Sequence, residues 1–450
     1  MRQFFAILGD SFREAVDGFV IYAMLGVSAL AMLVVGSMSF EAAPPEQAFT
    51  QITRRFDQIS MGHGRGSIGM GSIDFQATDV AAAGGGHTFR LTAKGQSSGT
   101  ITHNGKQVNN PEAGDTFRAT VAAWLEHRGG DGRSVTTPQS GNQRAVTDAQ
   151  MEEFLAHQFR TRAAIDATAK RVPGVEEPAY AFDVTTAGGS GVRGWPHTVK
   201  ILFGAVTIGR ETPLGRVLYI VEDRVVNGIG AGIALLVSVI LTAFFVPNML
   251  RKGSLDLLVS KPIGRTPLLL YKYVGGLTFI FLISAFTIGG IWLVIALRSG
   301  FWDPTFLILI PVLTFTFAIL YSVSVLFGVL TRSPIVAMLA TVAFMFLLWL
   351  VGWGKTILDV MRNVERGEGP PSWLVTLVDS LHTVLPRYKD LDTITSKLII
   401  DGTLTPMEAQ QVSPVTLVAY PDWGATVGVS LAFIAVVLAL ACWRFQKRDS

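Results

Sequence analysis

Four basic side chains stand close together between two long apolar runs of the chain: Arg251, Lys252, Lys261 and Arg265. Guanidinium and ammonium groups at this spacing can pair with carboxylates of a protein partner or with lipid phosphates. Segment 250–272 holds five basic residues and one acid, which predicts a loop on the cytoplasmic side of a membrane. The simpler interpretation, that these bases only orient the chain, stays open.

Two glycine motifs resemble nucleotide-binding loops but lack the context that this chemistry requires. Residues 64–69 spell GxGxxG, yet a dinucleotide site needs a preceding strand and a following helix, and here more glycine follows. Residues 354–356 read Gly-Lys-Thr, but the first glycine of a phosphate loop would fall at Trp349. We therefore predict no cofactor site in this chain, and any ATP must be bound by a partner.

The seven histidines could serve copper or zinc, because imidazole suits both metals. They form no HxH or HxxxH pair, and the single cysteine, Cys442, lies at the end of the last apolar run. We expect histidines that are solvated or packed in a core. No metal site and no catalytic residue is predicted.

The elements around these residues are hydrophobic enough to require a membrane. The 450-residue chain is 49% hydrophobic and has a mean hydropathy of +0.42, and a span needs about 20 apolar residues. Six runs approach or exceed that length: 19–39, 228–249, 273–297, 305–330, 335–353 and 426–443. We predict a polytopic α-helical membrane protein with six transmembrane helices and an α+β extracytoplasmic domain inserted between the first two.

The predicted order of segments follows from these runs. It comprises an N-terminal interfacial helix (1–18), TM1 (19–40), the extracytoplasmic domain (41–226), TM2 (227–249), a cytoplasmic coupling loop (250–267), TM3–TM5 (268–353), an extracytoplasmic segment (354–424), TM6 (425–443) and a cytoplasmic tail (444–450). With the basic loop inside, both termini are cytoplasmic. Two alternatives stay open: the first run as a cleaved signal peptide, and 1–18 as an extension of the first span.

Charge patterning excludes several function classes. The six apolar runs contain no acid and no base, whereas ion-coupled carriers usually keep ionisable groups at membrane depth. A secondary carrier and a channel with charged rings are therefore not expected. The net charge of +3 gives no nucleic-acid signal, because segment 41–226 balances 19 bases against 19 acids.

Polar residues before proline, and small residues, predict where helices start and pack. Thr266, Asp303 and Ser333 each precede a proline, and each is expected to cap a helix, as is Asp422. Gly228 and Gly232 form a GxxxG pair that would let a neighbouring helix approach closely. Small residues at a helix entrance also occur without any such role.

The 41–226 region is predicted to be an α+β domain. Helical periodicity covers Glu46–Ser60 and Asp148–Val172. Strands are predicted at His87–Ala93, Gly99–His103, Tyr180–Thr185 and Thr198–Val206, and Asn104-Gly105 is a hairpin-turn signal. Gly62–Gly71 and Ala81–Gly86 are predicted to be loops. We interpret the domain as a binding or gating element rather than a hydrolase.

The stretch Val246–Arg265 resembles the first cytoplasmic loop of ABC-2 type permeases, the membrane subunits of ATP-binding-cassette exporters. The similar features are Gly253, a short apolar helix after Ser254, the Lys261-Pro262 pair, and an arginine before the next span. Leu268–Gly276, Leu326–Ser333 and the six-span layout are also similar to that family, loosely to its multi-copper-enzyme maturation branch. The 186-residue insertion at 41–226 is larger than the family's compact form.

This resemblance implies a non-catalytic permease subunit that moves a substrate with ATP hydrolysed by a separate cytoplasmic ABC ATPase. It also implies a lipid membrane, the cell membrane of a prokaryote, and a dimer with a second copy or a paralogue. The predicted contact with the ATPase comprises Arg251, Lys252, Gly253, Leu255, Asp256, Leu258, Lys261, Pro262 and Arg265. The alternative function is a membrane-anchored extracytoplasmic binding or assembly module whose spans serve as a scaffold.

Overall fold

The computed structural model describes residues 9, 20–56, 73–95, 100–103, 106–109, 116–129, 146–175, 179–188, 191–245, 247, 264–363, 370–412 and 421–447. The chain divides into two compact units. The helical unit comprises Met1–Met38, Leu218–Gly402 and Val412–Ser450, and the α+β unit comprises Ser39–Val217 and Thr403–Gln411.

The described helices are α1 (Val20–Gly36), α2 (Pro45–Thr53), α3 (Thr116–Gly129), α4 (Asp148–Ala163), α5 (Leu214–Thr242), α6 (Arg265–Ser299), α7 (Leu309–Thr331), α8 (Pro334–Asn363), α9 (Ser372–Val384), α10 (Tyr388–Thr403), α11 (Pro406–Val412) and α12 (Trp423–Lys447). Residues Ile220–Gly230 of α5 are π-helical, and a 3-10 turn at Pro304–Ile308 leads into α7.

The described strands are β1 (Ser39–Ala42), β2 (Ile73–Ala83), β3 (Gly86–Gly95), β4 (Thr100–His103), β5 (Lys106–Asn109), β6 (Ala167–Val172), β7 (Ala179–Thr186), β8 (Pro196–Ile201) and β9 (Val206–Pro213). All pairings among them are antiparallel. They form a four-stranded sheet in the order β2-β3-β7-β6, a three-stranded sheet in the order β1-β8-β9, and the β4-β5 pair.

Within the described residues, five helices are long and apolar enough to cross a membrane: α5, α6, α7 with its 3-10 turn, α8 and α12. This confirms the prediction of a polytopic helical membrane protein. Helix α1 is apolar but only 17 residues long, so the sixth span stays a prediction. Its exposed side chains include Tyr22, Val27, Leu30 and Leu33, an apolar surface that suits lipid contact.

Helix α7 lies at the centre of the helical unit. In its apolar window 56% of residues are buried, against 28–33% for the other four long helices. It packs against α5, α6, α8 and α12, while α1 packs along α6. The Ser28 and Thr287 hydroxyls lie 2.6 Å apart and add a polar contact between α1 and α6. Helix α7 is therefore the long helix that contacts all four of the others.

The long helices continue beyond the predicted apolar runs, and the added turns contain ionisable residues. Helix α5 begins at Leu214 rather than near residue 228, so it includes the buried acids Glu222 and Asp223. Helix α6 likewise includes the buried Lys272. A helix can continue past its apolar run because its backbone hydrogen bonds form whatever the side-chain polarity, and neighbouring helices bury the polar residues.

The capping predictions have mixed outcomes. The Asp303 carboxylate accepts from the Thr305 amide at 3.0 Å, and Asp422 accepts from the Ala425 amide at 2.7 Å, so both predicted caps are confirmed. The Thr266 prediction is wrong because α6 begins two residues earlier than predicted, at Arg265, with Gly264 at the N-cap. Thr266 lies instead inside the first helical turn.

The α+β unit has an aromatic core on its four-stranded sheet. Helix α2 packs against β2, and α4 packs against β6. Phe49, Phe89 and Phe159 are among the buried side chains that α2, β3 and α4 contribute. The α4 helix begins with a capping box, in which Thr147 and Gln150 satisfy each other's backbone amides.

Two element predictions in this unit need correction. The predicted helix Asp148–Val172 ends at Ala163, because Ala164 adopts a left-handed conformation with φ of 53°, and β6 follows. The predicted strand Thr198–Val206 is interrupted after Ile201, because Leu202 and Phe203 have φ of 52° and 57° and begin a turn.

Other element predictions are confirmed within the described part of the chain. The strands predicted at His87–Ala93 and Tyr180–Thr185 correspond to β3 and β7. The β4 and β5 strands pair with His103 opposite Lys106, as the Asn104-Gly105 signal predicts. The predicted loop Ala81–Gly86 is wrong in part, because Ala81–Ala83 belong to β2. Gly62–Gly71 lie outside the described residues.

Candidate functional site

Most of the predicted coupling loop lies outside the described residues. This applies to Arg251, Lys252, Gly253, Leu255, Asp256, Leu258, Lys261 and Pro262. Arg265 is described, and it is the first residue of α6. The loop therefore leads directly into the 35-residue α6 helix, whose N-terminal end can be analysed.

The N-terminal end of α6 and the C-terminal end of α12 lie together. The Gln446 side-chain amide donates to the Thr266 hydroxyl at 2.6 Å. Near that contact, the Lys447 ammonium stands 4.4 Å from the centre of the Trp443 ring, an attractive cation–π geometry. The start of α6, which follows the predicted coupling loop in sequence, and the basic last turn of α12 thus lie at the same end of the helical unit.

The opposite end of the unit is defined by a second contact. The Arg298 guanidinium, in the last turn of α6, donates to the Met38 carbonyl at 2.8 Å. Met38 follows α1, so the C-terminal ends of α1 and α6 lie together and the two helices run parallel. We call the end with Arg265 and Gln446 the basic end, and the end with Arg298 the far end.

Lys272 lies two turns into α6 and is 4% exposed. Its ammonium is 5.8 Å from the centre of the Phe245 ring, just beyond the end of α5. A cation–π contact of this kind is stronger when water is excluded. It links the start of α6 to the segment that precedes the predicted loop.

The residues of α6 that follow Lys272 pack closely against α7. The Tyr273 hydroxyl donates to the Ala318 carbonyl at 2.8 Å. Its ring stacks on Tyr321 with centroids 5.4 Å apart, and Phe317 lies on Tyr321 at 5.2 Å. Gly276 makes this close approach possible, because a Cβ there would lie 2.6 Å from the Tyr321 ring. A displacement at the start of α6 would therefore be transmitted to the central helix α7.

The two glycines predicted for helix packing lie on α5 but contact no other helix closely. A Cβ built on Gly232 would meet nothing within 4 Å, and one on Gly228 would meet only the Asp223 carbonyl of its own helix. The pair therefore leaves an open surface in the single described chain. Close approach of a neighbouring helix at this pair stays a prediction.

A polar cluster between α5 and α10 was not predicted from sequence. The Ser396 hydroxyl donates to Asp223 at 2.6 Å, and the Asn227 amide reaches Asp223 at 3.2 Å and Asp392 at 3.4 Å. Lys389 pairs with Asp392. The i,i+4 spacing of Asp223 with Asn227, and of Asp392 with Ser396, was an available signal. These contacts join the π-helical segment of α5 to α10.

Ion pairs also hold α9 to α8. Lys355 bridges Asp359 and Asp379 at 3.0 Å each, and Arg362 contacts Asp379 at 2.8 Å. The hydrogen bond from Arg362 is the main cause that lowers the pKa of the Asp379 carboxyl below its ordinary value of 3.8. These partly exposed pairs fix the position of α9 more than they contribute to stability.

The described part of the chain shows no group of three histidine, cysteine or acidic side chains that could hold a metal ion. His197 is buried and its Nδ1 lies 2.8 Å from the Trp195 carbonyl. His87 stacks on Trp195 with ring centres 5.7 Å apart. These two histidines are packed among aromatic side chains of the α+β unit. His63 lies outside the described residues.

The environment of His197 predicts a pH effect on the α+β unit. Burial lowers the pKa of this imidazole below its ordinary value of 6.5, and the hydrogen bond with Trp195 opposes that shift only in part. As the pH falls below 6.5, the unfolded state gains a proton before the folded state does, so stability decreases. We expect thermal unfolding of the wild type to shift to lower temperature between pH 7 and pH 5.

The His197→Gln variant is the control for this pH effect. Its amide can still donate to the Trp195 carbonyl but does not titrate. The pH dependence of its unfolding temperature should therefore be shallower than that of the wild type. Equal slopes for the two proteins would contradict the assignment to His197.

The comparison with known families extends over nearly the whole chain. A family profile described as "ABC-2 family transporter protein" matches residues 18–450. The chain has no match among curated proteins. The matched range includes all five long apolar helices and the α+β unit, so the chain is a multi-pass membrane transport protein of the permease type, and it belongs to the ABC-2 transporter family.

Proposed function

We propose that this chain is the permease subunit of an ABC-2 exporter in the cytoplasmic membrane of a prokaryote. ATP would be hydrolysed by a separate ABC ATPase, and the permease would move the substrate without catalysing a reaction itself. The observation that carries the proposal is the family match over residues 18–450. The helical unit, with its long apolar helices, supports it.

The orientation of the proposed permease follows from charge. Arg265, at the start of α6, and Arg444 and Lys447, in the last turn of α12, lie at the same end of the helical unit. Membrane proteins retain such bases on the cytoplasmic side. We therefore assign the basic end and both termini to the cytoplasm. In this arrangement α1 is the first of six spans, and the α+β unit is an extracytoplasmic insertion between α1 and α5.

The proposed energy input is the loop Arg251–Arg265. Closure of an ATPase dimer would displace this loop and, with it, the N-terminal turn of α6. The Tyr273–Ala318 hydrogen bond and the Gly276–Tyr321 contact link that part of α6 to α7. Transport would then follow as a population shift between inward- and outward-facing arrangements of the helices.

We further propose that the permease acts as a dimer with a second copy or a paralogue. The surface of α5 around Gly232 is open in the single chain, and Ile229 and Ile233 beside it are exposed. A small-residue surface flanked by isoleucines suits close approach of a partner helix in lipid.

Charge reversal at Arg265 tests the proposed ATPase contact. Arg265→Glu should reduce co-purification with a co-expressed ABC ATPase by about tenfold or more, which corresponds to about 1.4 kcal/mol of binding free energy. Helix α6 should remain intact, because an acid in a first turn interacts favourably with the helix dipole. A pull-down in which the bound ATPase is quantified by its activity measures the reduction in co-purification.

Arg160→Glu is the matched control for this experiment. Arg160 lies on α4 of the α+β unit and forms an exposed ion pair with Asp166 at 3.1 Å. Its loss should cost under about 1 kcal/mol and leave ATPase binding unchanged. Failure of the wild type to bind any ATPase, or full binding and transport by Arg265→Glu, would contradict the contact. That result would favour the membrane-anchored binding module instead.

A further inference from the structure

The turn between β8 and β9 exposes two large apolar side chains in a backbone conformation that does not suit them. Leu202 and Phe203 are 60% and 74% exposed, and their φ angles of 52° and 57° lie in the left-handed region. The Gly204 amide donates to the Ile201 carbonyl at 3.2 Å, so Leu202 and Phe203 are the central residues of a β-turn. Hairpin turns with two positive φ angles usually contain asparagine, aspartate or glycine. Leucine and phenylalanine are therefore strained here, and their exposure to water is also unfavourable.

The β8–β9 hairpin is apolar on one of its two faces. Residues directly opposite each other in an antiparallel pair lie on the same face. Ile201 is opposite Val206 in this pairing, and two residues further along, Val199 is opposite Ile208. Val206 and Ile208 are 44% and 48% exposed, whereas Val199 is buried. The apolar face is therefore covered on β8 near Val199 but uncovered along β9 towards the turn.

The other face of the hairpin is polar. Lys200 and Thr207 lie opposite each other on it, and Lys200 pairs with Glu41 of β1 at 2.6 Å. Residues 201–209, between Lys200 and Arg210, contain no charge and a single polar side chain, that of Thr207. An uncharged apolar segment flanked by bases suits the headgroup region of a bilayer, where bases meet lipid phosphates. The composition of the hairpin therefore favours lipid as the group that covers it.

Strand pairing places the turn beside the first residue of the α+β unit. Ser39 begins this unit and the strand β1, and it is opposite Lys200 of β8. Phe203 follows three residues after Lys200, and three residues of extended chain cover about 10 Å. The turn therefore lies at the end of the three-stranded sheet at which the chain enters the unit.

The residue before Ser39 lies at the far end of the long apolar helix α6. The Met38 carbonyl accepts from Arg298 in the last turn of that helix. Close to the same end, the Trp292 and Trp302 rings lie 5.6 Å apart, and Trp302 is 55% exposed. Tryptophan at the end of an apolar helix is typical of the membrane–water interface. Since adjacent Cα atoms are about 3.8 Å apart, the chain enters the α+β unit within one residue of that interface.

We propose that the β8–β9 turn inserts Leu202 and Phe203 into the headgroup region of the extracytoplasmic leaflet, so that the α+β unit binds the lipid surface. The apolar side chains of Val206 and Ile208 extend this surface along β9. Insertion offsets the unfavourable exposure of the turn, because the apolar side chains leave water. The turn would thus give the unit a lipid anchor in addition to its covalent links to the spans. The proposal rests on the assignment of α1 and α6 as spans with the far end outside the cytoplasm, which belongs to the proposed function.

Fluorescence of the full chain in lipid nanodiscs tests the contact. The fluorophore NBD, whose emission moves to shorter wavelength in apolar surroundings, is attached to Ala205→Cys in a Cys442→Ala background. Ala205 is exposed in the same turn, so both inserted side chains stay in place. The nanodiscs contain phosphatidylglycerol and phosphatidylcholine, with or without a phosphatidylcholine that carries a nitroxide near its headgroup. We expect a blue-shifted emission that the nitroxide lipid quenches, and loss of both effects when Leu202→Ser and Phe203→Ser are added.

Two further label positions are matched controls. Ala42→Cys is exposed on the same sheet, at the end of β1 opposite Ser39, and its label should be neither shifted nor quenched. Leu30→Cys is on the exposed apolar surface of α1, and the nitroxide lipid should quench its label if α1 is a span.

Three outcomes would overturn the proposal, and they are distinguishable. A label on Ala205→Cys that is blue-shifted but not quenched would show that protein covers the turn, such as a second copy docked on β9, the edge strand of its sheet. An unshifted, unquenched label there, together with a quenched label on Leu30→Cys, would remove the lipid anchor and leave the first span in place. Absence of quenching at both positions would contradict the anchor and the first span together.

Discussion

Replacement of Phe49 by alanine should strongly destabilise the α+β unit. The Phe49 side chain is fully buried and stacks on Phe89 with ring centres 4.2 Å apart. Its edge contacts with Trp195 and His87 have centroid distances of 5.3 and 5.6 Å. Truncation removes these contacts and leaves a cavity, which costs about 3–5 kcal/mol of unfolding free energy.

Hydrogen exchange of β3 and β7 in the full chain measures this effect. These strands carry Phe89 and Phe182 into the same core. If their amides exchange through opening of the unit, the rates in Phe49→Ala should rise by about 100-fold or more, since about 1.4 kcal/mol is a factor of ten. Amides of α7, in the helical unit, serve as an internal reference and should not change.

Phe203→Ala is the matched control for the loss of Phe49. Phe203 lies in the turn between β8 and β9 of the same unit and is 74% exposed. Its truncation removes little buried area, and exposed substitutions of this kind stay within about 0.5 kcal/mol. Equal exchange rates in Phe49→Ala and Phe203→Ala would show that the aromatic cluster does not stabilise the unit.

Gly276→Leu should destabilise the helical unit by about 1–3 kcal/mol or more, the range for an overpacked core. Even its Cβ would lie 2.6 Å from the Tyr321 ring. That ring cannot move aside easily, because Tyr273 and Phe317 stack on it. In detergent, we expect the variant to lose its monodisperse form at a lower midpoint temperature than the wild type. Transport should also be weaker if α6 and α7 must move as a pair.

Gly289→Leu provides an internal comparison on the same helix. A Cβ at Gly289 meets nothing within 4 Å, so the new side chain would face open space. Leucine is a better helix former than glycine by up to about 1 kcal/mol. We therefore expect unchanged or higher stability. Similar losses in both variants would mean that glycine flexibility in α6, and not the Tyr321 contact, is what matters.

The membrane helices were predictable from sequence because the signal is local. An apolar run of about 20 residues must cross the bilayer as a helix, since lipid offers no partner for backbone amides. The four runs from 273–297 to 426–443 each lie within one described helix. The ends were less predictable, and α5 begins 14 residues before the predicted run, because polar residues can continue a helix when neighbouring helices bury them.

The elements of the α+β unit were predictable only where local pattern and tertiary context agree. The alternating strands β3 and β7 were located correctly. The helical pattern predicted through Val172 was wrong beyond Ala163, because Ala167–Val172 gains more as the edge strand β6 beside β7. Strand pairing is a contact distant in sequence, so periodicity alone cannot choose between helix and strand there.

The sequence by itself determined that this chain is a membrane protein with a basic loop before Arg265, and its residues alone carried the family resemblance. Those properties depend on composition and on residues adjacent in the chain. Only the tertiary structure decided that Gly276 packs against Tyr321 and that Asp223 accepts a hydrogen bond from Ser396. Each of these contacts joins helices separated by 45 to 173 residues, and packing of the whole unit selects such partners.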